Sequence, residues 1–150
     1  MTATESRPIE ILLVEDNPGD MRLTKEALRE TKVNNHLHWV QDGSEALDFL
    51  HRRKQFADTP RPDIILLDLN LPKQDGHQVL RVIKNDVDLL QIPVVVLTTS
   101  NAEADVRKSY GLHANCYVTK PMEFENFINV IKTINQFWLT LAKLPSMATA

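Results

Sequence analysis

The stretch DIILLD at residues 63–68 joins an uninterrupted apolar run to a single acid. Runs of Ile, Leu and Val without polar alternation are typical of parallel strands that are covered on both faces. Similar runs occur at Ile9–Val14 and Pro93–Leu97, with shorter or weaker ones at His36–Val40 and Cys116–Val118. The chain is therefore predicted to contain five strands, of which the three strongest lie at the centre of a sheet.

The segments between these runs have helical spacing. Apolar or small residues four apart mark one buried helix face, and such pairs are Leu23 with Ala27, Ala46 with Leu50, and Val79 with Ile83. The capping-box pattern Ser100-x-x-Glu103 predicts a helix that ends near Gly111, and a last helix is predicted from about Glu123 to about Leu144. Strand and helix alternate five times. The predicted fold is a flavodoxin-like (βα)5 three-layer α/β sandwich with a parallel five-stranded sheet in the order 2-1-3-4-5.

Length and composition indicate one domain, at residues 7–145, between short tails at residues 1–6 and 146–150. Hydrophobic residues make up 43% and charged residues 25% of the sequence, as in an average soluble globular protein. No apolar run approaches the roughly 18 residues that a membrane span needs. The first residues lack the apolar core of a secretion signal, and the single cysteine, Cys116, has no partner for an internal disulfide. We therefore expect a cytoplasmic protein without membrane contact. The net charge of −3 disfavours nucleic acid as a partner.

Polar residues follow the predicted strands at their carboxyl ends. They are Glu15 and Asp16 after the first run, Asp68 after the third, Thr98 after the fourth and Lys120 after the fifth. Parallel strands bring these positions to one edge of the sheet, where three carboxylates would favour protonation unless a cation compensates their charge. Carboxylate oxygens suit Mg²⁺, which also binds phosphate oxygens. A metal-dependent phosphate site is the leading hypothesis.

Each of these residues has an ordinary interpretation when it is taken alone. Asp16 or Asp20 could cap the first helix, and Asp68 could be a loop residue. Thr98 is a common strand residue, and Lys120 could lie in a surface turn. It is their joint occurrence at one end of the sheet that favours a site.

The sequence is also similar to a known family. The blocks ILLVEDN (11–17), IILLDLNLPKQDG (64–76), PVVVLTTS (93–100) and CYVTKP (116–121) resemble, in order and spacing, the signature blocks of bacterial response-regulator receiver domains. The resemblance extends over roughly residues 9–144. It implies a two-component response regulator that accepts a phosphoryl group on Asp68 from a histidine kinase and is not an enzyme acting on a separate substrate. Such a domain promotes only its own Mg²⁺-dependent phosphorylation and dephosphorylation.

The resemblance assigns a role to each site residue. Glu15 and Asp16 would form the acidic pair that holds Mg²⁺ together with Asp68 and the backbone carbonyl of Asn70. The pair is Glu-Asp where some members have two aspartates, and this variation leaves the metal site intact.

The remaining roles concern the phosphorylated state. Lys120 would contact the phosphoryl group, Thr98 would be the switch hydroxyl and Tyr117 the aromatic switch. The resemblance implies that phosphorylation repacks the face made by the fourth helix, the fifth strand and the fifth helix.

The last predicted helix has an apolar arc of roughly 220°, far wider than the approximately 100° stripe of an ordinary surface helix. One side can face the sheet, which leaves a second shoulder made by Val130, Phe137, Leu141 and Leu144. We expect a symmetric homodimer through this shoulder, and the alternative is that the C-terminal extension folds back over its own domain.

The sequences DLNLPKQDG, SYGLHANCYVTKP and FWLTLAKLP are most similar to a subgroup, the stand-alone response regulators of cyanobacterial-type phytochromes. This resemblance implies a phytochrome histidine kinase as the partner. A receiver of another sensor kinase, or a phosphorelay intermediate, is the alternative.

Other classes fit the sequence less well. An aspartyl-nucleophile phosphatase of the haloacid-dehalogenase type would have D-x-D-x-T, and Asn70 stands in place of the second acid. A nucleotide or flavin binder would need a phosphate-cradling loop where EDNPGD places acids. An interaction module with a decayed receiver site is disfavoured because every key residue is present. His36 and His38 share one strand face and could suggest a metal pair, but a solvated face is the favoured interpretation.

Overall fold

The computed structural model describes residues 8–30, 34–73, 75–99 and 102–120, together with helical residues at 125, 129, 132 and 133. The predicted tails and the apolar shoulder of the last helix lie outside these residues. Strands and helices alternate along the chain in the order β1 (Ile9–Val14), α1 (Pro18–Arg29), β2 (Asn35–Val40), α2 (Gly43–Leu50), β3 (Ile64–Leu67), α3 (Gly76–Lys84), β4 (Val94–Thr98), α4 (Glu103–Gly111) and β5 (Cys116–Thr119). A short 3₁₀ turn occupies Lys54–Phe56 between α2 and β3.

The strands form one parallel sheet in the order β2-β1-β3-β4-β5, which confirms the predicted topology. β1 and β3 end in register, because Val14 pairs with Leu67. The acids that follow these two strands therefore leave the sheet side by side.

The core lies on both faces of the sheet, as the unalternating apolar runs predicted. Leu12 and Val14 of β1 point to the face covered by α2 and α3, whereas Ile11 and Leu13 point to the face covered by α1. Helical residue Lys132 pairs with Glu30, at the end of α1, at 2.8 Å. This contact places part of the last helix beside α1, so helices flank the sheet on both sides.

The predicted start of α4 is wrong. The helix begins at Glu103 and its N-cap is Ala102, which makes no side-chain capping bond. The backbone of Ala102 is still extended, with φ −62° and ψ 133°, so Glu103 is the first helical residue and cannot close a box with Ser100. Ser100 itself lies outside the described residues. Within the described part of the chain, no helix is both long and apolar enough to cross a membrane.

Candidate functional site

Three carboxylates meet at the carboxyl end of the sheet. Glu15, Asp16 and Asp68 each present an oxygen within 4.8 Å of the others, and among the described residues they are the one group of this kind that could hold a metal ion. Glu15 and Asp68 are buried, while Asp16 is exposed. The sequence prediction that these three acids lie together is thus in agreement with the geometry.

Backbone pairing at the strand ends positions this group. The Asp68 N–H donates to the Val14 carbonyl at 3.1 Å, and the Glu15 N–H donates to the Val40 carbonyl at 3.0 Å. The two acids are therefore anchored to neighbouring strands, and loop motion alone cannot separate them.

The first helix is capped by Asn17, for which no capping role was predicted. Asn17 is the N-cap of α1, and its Oδ1 accepts the Asp20 N–H at 3.0 Å. The capping interpretation of Asp16 and Asp20 is therefore wrong, because the cap position is filled and both carboxylates are available for other contacts.

Lys120 follows β5 and reaches into the acidic group. Its backbone N–H donates to the Thr98 carbonyl at 2.6 Å, which fixes the chain beside β4. Its Nζ lies 2.5 Å from Glu15, 2.8 Å from Asp20 and 3.1 Å from Asp68. Lys120 is 6% exposed, so the predicted alternative of a surface turn lysine does not hold.

Burial and charge act against each other in this group. Burial raises the pKa of Glu15 to about 7, although the hydrogen bond and charge of Lys120 lower it. For Lys120, burial opposes the charged form, but the hydrogen bond to Asp20 and the charges of Asp68 and Glu15 outweigh it and raise the pKa. The contacts therefore favour the charged ammonium of Lys120, whereas burial favours the neutral form of Glu15 and raises its pKa above the ordinary value.

Asn70 connects the acidic group to the end of β4. Its backbone N–H donates to Asp68 Oδ1 at 2.9 Å, and its side-chain amide donates to Thr98 Oγ1 at 3.3 Å and Thr99 Oγ1 at 3.4 Å. Thr98 is fully buried. Asn70 thus bridges Asp68 and Thr98, whose hydroxyl is the one that the resemblance assigns to the switch.

Gly76 allows the loop after Asp68 to pack tightly against α3. A Cβ at this position would lie 2.5 Å from the Asp68 carbonyl oxygen and 2.6 Å from Leu69 Cα. The Gly76 N–H also donates to the Leu69 carbonyl at 3.0 Å. The first residue of α3 therefore supports the backbone that carries Asp68, and glycine is needed for this close approach.

Aromatic residues occur on both edge strands of the sheet. Tyr117 of β5 is half-buried and its ring packs against the core on the α2–α3 face, while its N–H donates to the Tyr110 hydroxyl at 3.2 Å. Trp39 of β2 donates its indole N–H to the Glu15 carbonyl at 2.6 Å. Trp39 thereby holds the peptide bond between the two acids of the pair.

The histidine pair on β2 lies away from this group. His36 Nδ1 is 3.2 Å from one oxygen of Glu10, and His38 Nε2 is 2.7 Å from the other. The side chain of His36 is largely exposed, in agreement with the predicted solvated face, whereas His38 packs against the ring of Phe49.

Asp20, Trp39 and Gly76 were not predicted to belong to the site. The sequence shows Asp20 in the segment PGD (18–20), shortly after the acidic pair. Its contact with Lys120 joins two residues 100 positions apart, and the sequence of neither segment specifies that contact. The Trp39 bond depends on strand register, and the Gly76 contact depends on how α3 approaches the loop.

The donor set fits a divalent cation. Three carboxylates, from Glu15, Asp20 and Asp68, contact the Lys120 ammonium, and a fourth, from Asp16, lies beside Glu15 and Asp68, so Lys120 alone does not balance their charge. Carboxylate oxygens suit Mg²⁺ or a similar hard cation, which prefers oxygen ligands, better than Zn²⁺, which prefers nitrogen and sulfur.

Known proteins share this architecture. A family model described as the response regulator receiver domain matches residues 11–132. Response regulator Rcp1 of Synechocystis sp. is 45% identical over 146 residues, which cover 97% of this chain and 99% of the relative. The solved structure of the phosphorylated cyanobacterial phytochrome response regulator RcpA is 48% identical with a TM-score of 0.91. The Mn²⁺-bound form of Rcp1 is 47% identical with a TM-score of 0.90. Each structural match covers 93% of this chain and 100% of the solved chain.

Proposed function

We propose that this chain, which belongs to the family of response regulator receiver domains, takes up a phosphoryl group on Asp68. As a response regulator it acts in phosphorylation-driven signalling with a histidine kinase as its partner. The observation that carries the assignment is that Asp68 presents an oxygen within 4.8 Å of both acids of the pair and lies 3.1 Å, at Oδ2, from Lys120 Nζ. The proposed domain extends over residues 7–145, and its proposed location is the cytoplasm.

The proposed reaction is phosphoryl transfer to a carboxylate. An oxygen of Asp68 attacks the phosphorus of a phosphohistidine, the phosphorus–nitrogen bond breaks, and the imidazole leaves with a proton. The product is an acyl phosphate, which water later hydrolyses. Lys120 contacts the phosphoryl oxygens and stabilises the charge that spreads over them in the transition state. No separate substrate is turned over, so the domain promotes only its own phosphorylation and dephosphorylation.

Mg²⁺ is the proposed cofactor. The carboxylates of Glu15, Asp16 and Asp68 and the backbone carbonyl of Asn70 would hold it, and it would neutralise charge on the phosphoryl oxygens. The oxygen-only acidic group supports this proposal. So does the relative Rcp1, which has been solved in a Mn²⁺-bound form.

Phosphorylation is proposed to act through Thr98 and Tyr117. The phosphoryl group brings three strong acceptor oxygens to Asp68, and the Thr98 hydroxyl can turn from Asn70 toward one of them. The space that Thr98 leaves would admit the ring of Tyr117 and repack the face of α4, β5 and the last helix.

A direct test is labelling with a small phosphodonor in the presence of Mg²⁺. We expect the wild-type chain to be labelled, Asp68→Asn to remain unlabelled, and EDTA to abolish the reaction. Asp63→Asn is a matched control, since Asp63 is a buried acid that directly precedes β3, whereas Asp68 directly follows it. Asp63 accepts the Glu10 N–H at the opposite end of β1. Labelling of Asp68→Asn at the wild-type level would refute the assignment.

The proposed kinase partner is a phytochrome. Support comes from the similarity to RcpA, a cyanobacterial phytochrome response regulator. Phosphotransfer from a purified phytochrome kinase that changes with red and far-red light is the expected result. Equal transfer from kinases of other sensors, without any light dependence, would favour the alternative of a different sensor kinase.

A homodimer through Val130, Phe137, Leu141 and Leu144 is also proposed. These residues lie outside the described part of the chain, so the support is the apolar pattern of the sequence. Sedimentation should show a wild-type dimer and a Phe137→Asp monomer. A monomeric wild-type chain, before and after phosphorylation, would contradict the proposal.

A further inference from the structure

Asp20 is a fourth carboxylate at the site, and the acidic pair, Asp68 and Lys120 already perform the proposed reaction without it. It lies in the first turn of α1, where its N–H donates to the Asn17 cap. The position of its backbone is therefore fixed by the helix start. Its Oδ2 lies 2.8 Å from Lys120 Nζ, so the carboxylate is turned toward the site and makes a charge-assisted hydrogen bond there.

The three hydrogen-bond donors of the Lys120 ammonium are matched by three carboxylates, from Glu15, Asp20 and Asp68. A phosphoryl oxygen that binds Lys120 must therefore take the place of one of them. The side chains of Glu15 and Asp68 are 3% and 7% exposed, whereas that of Asp20 is 30% exposed. Asp20 is therefore the partner whose carboxylate can most easily leave Lys120 and be solvated by water instead.

We propose that Asp20 competes with the phosphoryl group for Lys120 and thereby slows phosphorylation of Asp68. The proposal rests on the proposed function of the site and adds a residue that sets its rate. Before phosphorylation, Asp20 holds the ammonium. During phosphorylation, a phosphoryl oxygen displaces Asp20 from Lys120, and the negative charge of Asp20 opposes the approach of the anionic donor.

Removing the charge of Asp20 should therefore accelerate phosphorylation. The Asp20 carboxylate lies 2.8 Å from the ammonium that would bind the incoming phosphoryl group. Removing this unit charge is expected to raise the rate of Asp68 phosphorylation on the order of fivefold to tenfold. A residue that merely kept Lys120 in place would behave in the opposite way, because its loss would slow the reaction.

The test is the labelling rate of the full-length chain with acetyl phosphate at saturating Mg²⁺. Asp20→Asn and Asp20→Ala should be labelled on the order of five to ten times faster than the wild type, and Asp20→Glu should remain close to the wild-type rate. Glu26→Gln is the matched control, because this exposed acid lies on the same helix and pairs with Arg29. It removes the same charge and should leave the rate unchanged.

Ionic strength separates a charge effect from a structural one. The rate advantage of Asp20→Asn should shrink between roughly 0.05 M and 0.5 M salt, since exposed charges are screened over that range. A rate within twofold of the wild type, a slower rate, or an advantage that is independent of salt would overturn the proposal. Asp68→Asn separates a failure of the proposed function from a failure of the competition. If Asp68→Asn is labelled, Asp68 is not the phosphoacceptor and the proposed function fails. If Asp68→Asn stays unlabelled and the Asp20 variants are labelled at the wild-type rate, only the competition fails.

Discussion

Replacing Glu15 with glutamine is expected to stabilise the metal-free protein above pH 7. Glu15 is 2% exposed, and burial raises its pKa from 4.5 to about 7 even though Lys120 lowers it. One pKa unit corresponds to about 1.36 kcal/mol, so the ionised Glu15 carboxylate costs the fold about 3 kcal/mol relative to its neutral form. Glutamine cannot ionise and avoids this cost, while Asp20 and Asp68 remain as partners of Lys120.

The pH dependence has a definite sign. The folded-state pKa of Glu15 lies above its unfolded-state value, so the cost is absent below about pH 4.5, grows as the pH rises toward 7 and is complete above pH 7. The free energy of unfolding of Glu15→Gln should therefore exceed that of the wild type by less than about 1 kcal/mol at pH 5 and by about 3 kcal/mol at pH 8.

The assay is urea unfolding in EDTA at both pH values. Glu26→Gln serves as the control and should differ from the wild type by less than about 0.5 kcal/mol, since Glu26 is exposed. Mg²⁺ added at pH 8 should stabilise the wild type more than Glu15→Gln, because the cation compensates the carboxylate charge. A variant that is less stable than the wild type at pH 8 in EDTA would refute the reasoning, since the ion pair with Lys120 would then outweigh burial.

Two further predictions concern the residues that support the acidic group. Gly76→Ala places a Cβ 2.5 Å from the Asp68 carbonyl oxygen, and we expect a loss of roughly 2–3 kcal/mol in unfolding free energy together with slower phosphorylation. Thermal unfolding and labelling that both match the wild type would contradict this expectation. Trp39→Phe removes the indole donor to the Glu15 carbonyl, so we expect a loss of about 1–2 kcal/mol and a several-fold weaker Mg²⁺ affinity by titration calorimetry. A less stable variant with unchanged Mg²⁺ affinity would show that Trp39 does not orient the acidic pair.

The strands could be predicted from the sequence because they are buried on both faces. Ile9–Val14 has the same bounds in the sequence prediction and in the structure, and Leu67 ends β3 as expected. Parallel pairing then places Asp68 beside the acids after β1 without any knowledge of side-chain contacts. Burial pattern and strand direction were sufficient to locate the site at one end of the sheet, whereas the sheet order followed from the flavodoxin-like fold that the strand–helix alternation favours.

Helix starts and long-range contacts could not be predicted in the same way. The capping-box pattern at Ser100 is a local signal, but Ala102 is the N-cap of α4 and its own backbone is extended. The contact of Asp20 with Lys120 depends on where α1 begins relative to the end of β5, which neither segment specifies. Likewise Glu10 meets both histidines of β2 only because β1 and β2 pair in the observed register.

The contacts of Lys120 determine when the acidic group is completed during folding. It joins the residue that follows the last strand to an acid that follows the first strand, 105 residues earlier, so the site closes only after β5 has docked on β4. A nascent chain that ends before Lys120 contains all four carboxylates but lacks the ammonium between them. Such an intermediate carries a cluster of negative charge without its lysine partner. Lys120 therefore reaches the acidic group only when the sheet is complete.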